Sequence, residues 1–475
     1  MDSSDIPFLS ATELAVYIEK KEISPVDAVE AYLSRIEQVG SKLNAYITLC
    51  AEQALQEAKK AESEIAGGNY IGVLHGVPVG VKDQIHTRGI LTTAASKLRA
   101  EFVPSEDATV VAKLKQAGAI ILGKLNMTEF ATGDPITSAF GVTRNPWDLE
   151  RNPGTSSTGS GAATASFLCA TSLGEDTGGS VRGPAANCGL VGLRPSWGRV
   201  SRYGVDGASW SFDTIGPISR TVEDCAATIG AIAGHDPNDP YTWQTPVPDY
   251  RAALTGDIKG MKVGLVKELL DPETSGATSQ TIDAVLAASR VLADLGADVE
   301  EVSLPLASVA GVAMRTISSV ERVTLHPEWL RERPQDFHNN TRISFMTGHL
   351  IPSQVYYKAQ KVRALVRKQV LDALERFDVL IQPTTPAPAN VMDLTPGVRS
   401  KEHEKKALAG GNFRGLYSLV GGPALSILCG FTSSGEGGLP LALQIAGRPF
   451  DEATVLRVAH AYEQNTPWHN RRPPI

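Results

Sequence analysis

The segment from residue 152 to residue 195 constrains the fold of this chain more than any other stretch. It is crowded with Gly, Ser and Thr, yet small apolar residues run through it at 162–165 and 167–173. A solvated Gly/Ser linker would lack these apolar residues, because a linker gains nothing by burying side chains. We therefore expect a tightly packed segment that keeps hydroxyl and backbone N–H groups available.

Composition limits the classes of protein that the chain can belong to. Its 475 residues are 42% hydrophobic and 20% charged, which is the balance of an ordinary soluble globular protein. Asp and Glu number 52 against 45 Lys and Arg, for a net charge of −7. Because a nucleic-acid surface needs a positive field to neutralise phosphates, we expect no nucleic-acid partner.

The cysteines and the N-terminus indicate the compartment. Five cysteines lie far apart, are odd in number and sit mostly in apolar surroundings, which is typical of reduced thiols in the cytoplasm. The first ten residues are acidic where a secretory signal would be positively charged. No window approaches 18 uninterrupted apolar residues, so we expect no membrane span.

The N-terminal part is predicted to be helical. Ser10 and Glu13 fit a capping box, and Ser24, Pro25 and Asp27 mark a second helix start. A third helix is predicted over 51–66. We interpret residues 1–68 as a helical scaffold that packs on the rest of the chain.

Strands and helices alternate after residue 72. A β-branched run at 77–81 predicts a short strand that ends at Lys82. A helix over 107–118 and a buried strand over 119–122 follow. Strands at 261–266, 298–302 and 378–381, with a helix near 281–295, repeat this order, which is the pattern of an α/β fold.

The segment 306–377 has a mostly helical pattern. It is interpreted either as a cap over a pocket or as an outer helical layer of the same domain. No repeat of 20 to 50 residues and no Pro/Gly-rich linker divides the chain. One large domain over 1–475 is therefore predicted.

A glycine-rich loop at 174–180 carries the strongest chemical signal. We predict a strand over 168–173, the loop after it, and a helix from Val181 that Pro184 breaks. Consecutive glycines allow backbone N–H groups to converge on one point, so Ser180 could combine a nucleophile with an oxyanion hole. No histidine lies in a recognisable triad context. Lys82 is the best placed alternative base, provided that burial lowers its pKa.

Other uses of such glycine-rich segments fit less well. A phosphate-binding P-loop would require a Lys where Ser180 follows Gly179. The GSGAAT run at 159–164 is a poor dinucleotide fingerprint. His403-Glu404 lacks the second histidine of a metal site, so neither metal nor cofactor is expected.

Several separated motifs together resemble the amidase signature family. They cover most of the chain, most weakly between about 240 and 413, and are PVGVKD (78–83), GKLNMTEF (123–130), AFGVTRNPWD (139–148), GTSSTGS (154–160), GEDTGGSVR (174–182), RVSRYG (199–204), DTIGPISRTVED (213–224) and GLPLALQIAGRPFDE (438–452). The resemblance implies an α/β fold in which one large domain has a central mixed β-sheet covered by helices on both faces. It also implies that 72–240 is the catalytic core.

The resemblance also assigns roles to individual residues. Ser180 would be the nucleophile, Ser156 the bridging serine whose preceding peptide bond is cis, and Lys82 the base. The oxyanion hole would consist of the backbone N–H groups of Thr177, Gly178, Gly179 and Ser180. Supporting roles would fall to Ser157, Asp176 and Arg182.

Three positions depart from the family pattern. Thr155 and Thr158 stand where the family usually has glycine, and a Cβ at residue 155 tightens the geometry expected of a cis bond. Glu175 replaces the usual threonine. Its carboxylate could point to solvent or pair with a base, and the sequence leaves both open.

The expected function is that of an amidohydrolase. It would cleave a C–N amide bond, with carbamates, ureas and esters as further candidates, through a Ser180 acyl-enzyme and a Ser180–Ser156–Lys82 proton relay. The expected partner is a small-molecule amide, and the chain would be a monomer or homodimer. Two alternatives remain: the glutamine-hydrolysing A subunit of an amidotransferase that amidates mischarged tRNA, and a non-catalytic binding protein.

A substrate pocket is also predicted, with ordinary core as the equal alternative. Its apolar candidates flank the family motifs and are Met127, Phe130, Trp210 and Phe212.

Overall fold

The computed structural model describes residues 2–132, 134–395, 401–433 and 438–475. Its helices are α1 Ala11–Glu19, α2 Pro25–Leu43, α3 Ala51–Ala66, α4 Thr109–Gln116, α5 Thr158–Ala165, α6 Arg182–Cys188, α7 Val222–Ile232, α8 Pro272–Ser275, α9 Ser279–Asp294, α10 Ala310–Arg322, α11 Pro327–Glu332, α12 Asn339–His349, α13 Ser353–Arg376, α14 Lys401–Val420 and α15 Glu452–Gln464. Its strands are β1 Tyr46–Leu49, β2 Pro78–Lys82, β3 Ile120–Leu125, β4 Thr171–Asp176, β5 Val191–Arg194, β6 Thr214–Ser219, β7 Lys262–Val266, β8 Asp298–Val302, β9 Val379–Pro383, β10 Ala424–Phe431 and β11 Pro440–Gly447.

Within these residues the strands form one mixed sheet of 11 strands, in the order β1-β3-β2-β4-β6-β5-β10-β11-β9-β7-β8. β2 runs parallel to β3 and β4, and β7 runs parallel to β8 and β9. In the middle of the sheet, the neighbouring strands β6, β5, β10 and β11 pair antiparallel. The predicted fold class, a single large α/β domain with a mixed sheet, is confirmed.

Capping explains where the first helices begin. The Ser10 side chain accepts from the backbone N–H of Glu13, whose carboxylate accepts from the Ser10 N–H. Ser24 and Asp27 make the same reciprocal pair at the start of α2. These contacts satisfy N–H groups that a helix N-terminus otherwise leaves without partners. Both predicted helix starts and the predicted bounds of α3 are confirmed.

Alternate residues of the strands face two separate apolar cores. In β9, Val379 and Ile381 belong to the larger core, which includes residues of α1, α2, α7, α9 and α15. Leu380, between them, belongs to a second core with residues of α10, α13 and α14. Because successive side chains of a strand point to opposite faces, helices cover both faces of the sheet. The segment 306–377 is mostly helical, as predicted; its role as a cap or an outer layer stays a prediction.

Two local predictions around the glycine-rich loop are wrong in detail. The strand predicted over 168–173 begins later, at Thr171, because Phe167 turns the chain with a φ of 63°. Pro184 does not break α6, since it lies in the first helical turn, where no intrahelical partner is needed for its missing N–H.

The segment that follows Asp213 is a strand, although the sequence patterns predict none there. It forms β6, in which Pro217 lies opposite Leu173 of β4. The pairing of β6 with β5 covers only Ile218 and Ser219, so the proline sits outside that ladder.

No helix in the described ranges is long and apolar enough to cross a membrane.

Gly216 of β6 provides a test of the sheet. A Cβ added there would overlap the carbonyl oxygen of Leu193 in β5. We expect Gly216→Ala to lower the free energy of unfolding by about 3 kcal/mol, the upper part of the range for overpacking. Urea titration followed by circular dichroism would measure the change.

Gly40→Ala is the matched control. Gly40 lies inside α2, and its added Cβ would meet only the Ile36 side chain, at 3.4 Å. This variant should gain about 0.5–1 kcal/mol, because alanine favours a helix over glycine. Similar effects of the two substitutions would contradict the tight contact between β5 and β6.

Candidate active site

Two parallel strands deliver the central residues of the site. β2 and β4 are adjacent and parallel, with Val81 opposite Leu173. Lys82 ends β2, and Glu175 and Asp176 end β4. Because parallel strands end at the same edge of a sheet, the lysine and the two carboxylates meet there.

Lys82 is completely buried and contacts Ser156. Its Nζ lies 2.7 Å from the Ser156 Oγ, 3.3 Å from Oε2 of Glu175 and 3.4 Å from the Glu175 carbonyl oxygen. Burial lowers the pKa of Lys82, and the negative charge of Glu175, together with that of Asp213 when Asp213 is ionised, opposes this shift. Burial thus favours the neutral amine, which can accept a proton, whereas Glu175 favours the ammonium.

Ser156 connects Lys82 to Ser180. The Ser156 backbone N–H donates to the Ser180 Oγ at 3.2 Å. The structure thus brings together all three residues that the sequence places in the relay. The hydrogen bonds join Lys82 to the Ser156 hydroxyl and the Ser156 amide to the Ser180 hydroxyl, so a direct link between the two hydroxyls requires a side-chain rotation.

The cis peptide bond expected before Ser156 is not present. The described backbone contains no cis bond, and the trans form is the low-energy state of a bond that does not precede proline. Thr155 instead donates its hydroxyl to the Gly179 carbonyl oxygen at 3.1 Å. The two serine-bearing loops are therefore joined directly at this departure from the family pattern.

Asp176 shapes the loop in front of Ser180. Its carboxylate accepts from the N–H groups of Gly179 at 2.7 Å and Val181 at 3.2 Å. The Gly179 N–H is thus paired with Asp176 in this structure, and its place in the oxyanion hole stays a prediction. Across the described chain, no acceptor pairs with the N–H groups of Thr177, Gly178 or Ser180, so these three remain available to an oxyanion.

Two arginines hold the Asp176 carboxylate. Arg182 donates to both carboxylate oxygens at 3.0 Å, and Arg194 donates at 3.1 Å. Burial opposes ionisation of Asp176, but the charges of Arg182 and Arg194 outweigh it and hold the pKa of this carboxyl far below its usual range. All three side chains are fully buried.

Two further carboxyl groups lie in the site. Glu175 and Asp213 are buried, and the Thr177 hydroxyl lies 2.8 Å from one and 2.7 Å from the other. Burial and the charge of Glu175 raise the pKa of Asp213 to about 7. The sequence motifs assign no chemical role to Asp213. The signal that could have found the pair is a carboxylate in place of threonine beside the candidate base.

Ser157 supports the strand end. Its hydroxyl donates to the Glu175 carbonyl oxygen at 3.3 Å and lies 3.4 Å from the Glu175 N–H. It contacts the backbone of Glu175 and not the carboxylate. Ser157 therefore ties the serine-rich loop to the end of β4.

The four predicted pocket residues do not pack together. Met127, Phe130 and Phe212 are buried in three different apolar clusters. Trp210 is 52% exposed and meets Trp197 and Tyr241 edge-on at the surface. The interpretation as ordinary core fits the first three better than a common pocket.

A comparison with models of protein families matches residues 27–456 to the Amidase family. The chain belongs to the amidase family. It is an enzyme of this family and acts on C–N amide bonds. The resemblance inferred from the motifs is confirmed.

Individual members of the amidase family match almost the whole chain. The A subunit of the glutamyl-tRNA(Gln) amidotransferase of Geobacter metallireducens is 42% identical over 493 residues, covering 98% of each chain. The structure of the Thermotoga maritima protein of the same name matches with 31% identity and a TM-score of 0.80, over 98% of this chain and 96% of that one. A chain of a vestigial protein complex, described as revealing the evolutionary origins of an s-triazine catabolic enzyme, matches with 32% identity and a TM-score of 0.87. The match covers 96% of this chain and 98% of that one.

These relatives correct the expected partners. The expectation of a lone monomer or homodimer that takes a small-molecule amide and has no nucleic-acid partner is wrong, because the amidase-family relatives are subunits of an enzyme named for glutamyl-tRNA(Gln). Net charge misled here, since it describes a whole chain and not the assembly in which a subunit works. The alternative, the A subunit of an amidotransferase, agrees better with these relatives than a stand-alone amidase.

The buried Asp176 ion pair can be tested by stability. Asp176→Asn keeps the shape of the side chain but leaves two buried guanidinium groups without their counter-charge. We expect a loss of about 3–5 kcal/mol in the free energy of unfolding. Urea titration at neutral pH would measure it.

Glu223→Gln is the control for this substitution. Glu223 pairs with Arg251 at 2.8 Å, and both side chains are more than 40% exposed. Water screens such a pair, so the change should stay below about 1 kcal/mol. Equal effects of the two variants would show that Asp176 does not hold the loop.

Proposed function

We propose that the chain hydrolyses the side-chain amide of glutamine as the A-type subunit of an amidotransferase and delivers ammonia to a partner subunit. The observation that carries the proposal is the 2.7 Å contact of Lys82 with Ser156, beside Ser180, in a chain that matches such an A-type protein over 98% of its length. The residue cluster supports amide cleavage, and the similarity to the relatives supports the role as an amidotransferase subunit.

The chemistry follows from the proton relay. Neutral Lys82 accepts the Ser156 proton while Ser156 accepts the proton of Ser180, whose oxygen attacks the amide carbonyl. The relay returns a proton to the nitrogen, the C–N bond breaks, and ammonia leaves an acyl-enzyme on Ser180. Water then attacks the acyl-enzyme through the same relay and releases glutamate.

The oxyanion of each step would lie against the free N–H groups of Thr177, Gly178 and Ser180. Loss of one such donor typically costs about 10²–10³ in rate. Asp176 would hold these groups in place through its bond to the Gly179 N–H, 2.7 Å long. Asp176 and Arg182 therefore act on the reaction through the loop and not on the substrate.

The setting of the enzyme belongs to the same proposal. All five cysteines are free thiols, which favours a reducing cytoplasm. The net charge of −7 suits a subunit whose own task is to release ammonia while other subunits meet the tRNA.

Ser180→Ala tests the nucleophile. We expect ammonia release from glutamine, assayed with the other amidotransferase subunits of the same cell present, to fall by at least about 10³-fold, because the acyl-enzyme cannot form. Ser160→Ala is the control. Ser160 is a buried serine of the same segment that donates to the Leu173 carbonyl oxygen, and its loss should leave activity within about tenfold.

The same assay tests whether the chain works as an amidotransferase subunit. An anilide hydrolysed by the chain alone, with no glutamine hydrolysis when the partner subunits are present, would contradict the amidotransferase proposal. Glutamine hydrolysis that survives Ser180→Ala would contradict the mechanism. The two failures are therefore separate.

Lys82→Ala tests the base. The rate at which a fluorophosphonate labels Ser180, followed by intact mass, should fall by about 10³-fold without the proton acceptor. Lys124 provides the matched control, because it is an equally buried lysine that contacts Thr92 at 2.8 Å and Thr87 at 3.2 Å instead of a serine. A folded Lys124→Met variant should label within about tenfold of the wild-type rate. An equal loss of labelling rate in both variants would contradict the assignment of Lys82 as the base.

A further inference from the structure

Glu175 is the only carboxylate that contacts the Lys82 ammonium directly in the described part of the chain. The side chains of both residues are 0% exposed, and the Nζ–Oε2 distance is 3.3 Å. Gln84 donates to the same carboxylate oxygen at 3.4 Å. A buried carboxylate requires such partners, because burial without them is costly.

The second oxygen of Glu175 faces a hydroxyl that it shares with Asp213. Thr177 Oγ1 lies 2.8 Å from Glu175 Oε1 and 2.7 Å from Asp213 Oδ1. A hydroxyl carries one proton, so both contacts can be hydrogen bonds only when one of the two carboxyl groups is itself protonated. The other oxygen of Asp213 accepts from the N–H groups of Ala208 and Ser209 at 2.7 and 2.8 Å.

The proton belongs on Asp213 rather than on Glu175. Glu175 has the ammonium of Lys82 beside it, whereas no cation hydrogen-bonds to Asp213 in the part of the chain described. Burial and the neighbouring Glu175 charge raise the pKa of Asp213 to about 7. Protonated Asp213 then donates to Thr177, and Thr177 donates to the Glu175 carboxylate.

The remaining charges around Lys82 are balanced by other groups. Asp176, next to Glu175 on β4, is paired with Arg182 and Arg194. From α10, Arg322 is close enough to Asp213 and Glu175 to feel both charges. The direct counter-charge of the lysine is therefore Glu175, which no other position in the site duplicates.

We propose that Glu175 is a positioning residue that holds the Lys82 Nζ on Ser156 and sets the pH at which the amine form of Lys82 becomes available. The role rests on the proposed Ser180–Ser156–Lys82 mechanism. Thr177 and Asp213 contribute to this role, because they hold the second carboxylate oxygen of Glu175 in place. The departure from threonine at position 175 thus acts on the base of the reaction.

The direction of the effect follows from the charges. The Glu175 carboxylate favours the ammonium and raises the pKa of Lys82, whereas burial lowers it. Glu175→Gln keeps the size and polarity of the side chain but removes the charge. Lys82 should then lose its proton at lower pH. The acid limb, which is the part of the pH–rate profile where the rate rises as Lys82 loses its proton, should therefore move to lower pH.

The experiment measures the rate of Ser180 labelling by a fluorophosphonate between pH 5.5 and 10 on the full chain. Wild type, Glu175→Gln and Glu175→Asp are compared, with folding checked by circular dichroism. We expect the acid limb of Glu175→Gln to lie about one pH unit or more below that of the wild type. Glu175→Asp retains the charge and should restore the limb to within a few tenths of a unit.

The outcomes separate the two proposals. A Glu175→Gln protein that labels more slowly by one factor at every pH, with an unmoved limb, would overturn the role of Glu175 and leave the Ser180 mechanism intact. A wild-type protein in which Ser180 is not labelled would overturn the mechanism and the role together. A limb that moves equally in Glu175→Asp would assign the effect to packing and overturn the role.

Discussion

Asp176 sits between two buried guanidinium groups and three backbone N–H groups, and the site takes its form from this arrangement. Arg182 comes from α6 and Arg194 from β5, so one carboxylate joins three elements around the loop of Ser180. The same carboxylate uses the Gly179 N–H and leaves neighbouring N–H groups free. The loop is therefore oriented by side-chain electrostatics, and the glycines only permit the path.

Local patterns predict the parts of this fold that local forces determine. The capping box at Ser10, the helix start at Ser24 and the apolar runs of β2 and β3 appear where the sequence places them. β6 does not, since Gly216 and Pro217 are unfavourable in a strand, and pairing with β4 overrides that preference. The contact of Lys82 with Glu175 joins positions 93 residues apart, so only the tertiary structure reveals which way the carboxylate points.

The two threonine departures are accommodated by hydrogen bonds at the edges of the serine loop. The Thr155 hydroxyl donates to the Gly179 carbonyl oxygen, and Gly183 leaves the space that the Thr155 side chain fills. Thr158 opens α5 and bonds to the Thr143 hydroxyl at 3.3 Å. Neither hydroxyl bonds to Lys82. These substitutions therefore change how the loop is held, whereas Glu175 changes the surroundings of Lys82, the proposed base.

The outer side of the loop that carries Ser180 is bordered by a different part of the chain. A Cβ on Gly178 would lie 2.7 Å from the Met314 methyl group, and a Cβ on Gly179 would overlap the Arg414 side chain. Met314 lies on α10, within the segment where the family motifs are weakest, and Arg414 lies on α14, just after it. A carbonyl oxygen that reaches the Gly178 N–H must therefore fit beside these side chains. The ends of β2 and β4 therefore carry the residues proposed for the chemistry, while side chains of α10 and α14 border the loop beside them, and function depends on such local sites more than on the fold.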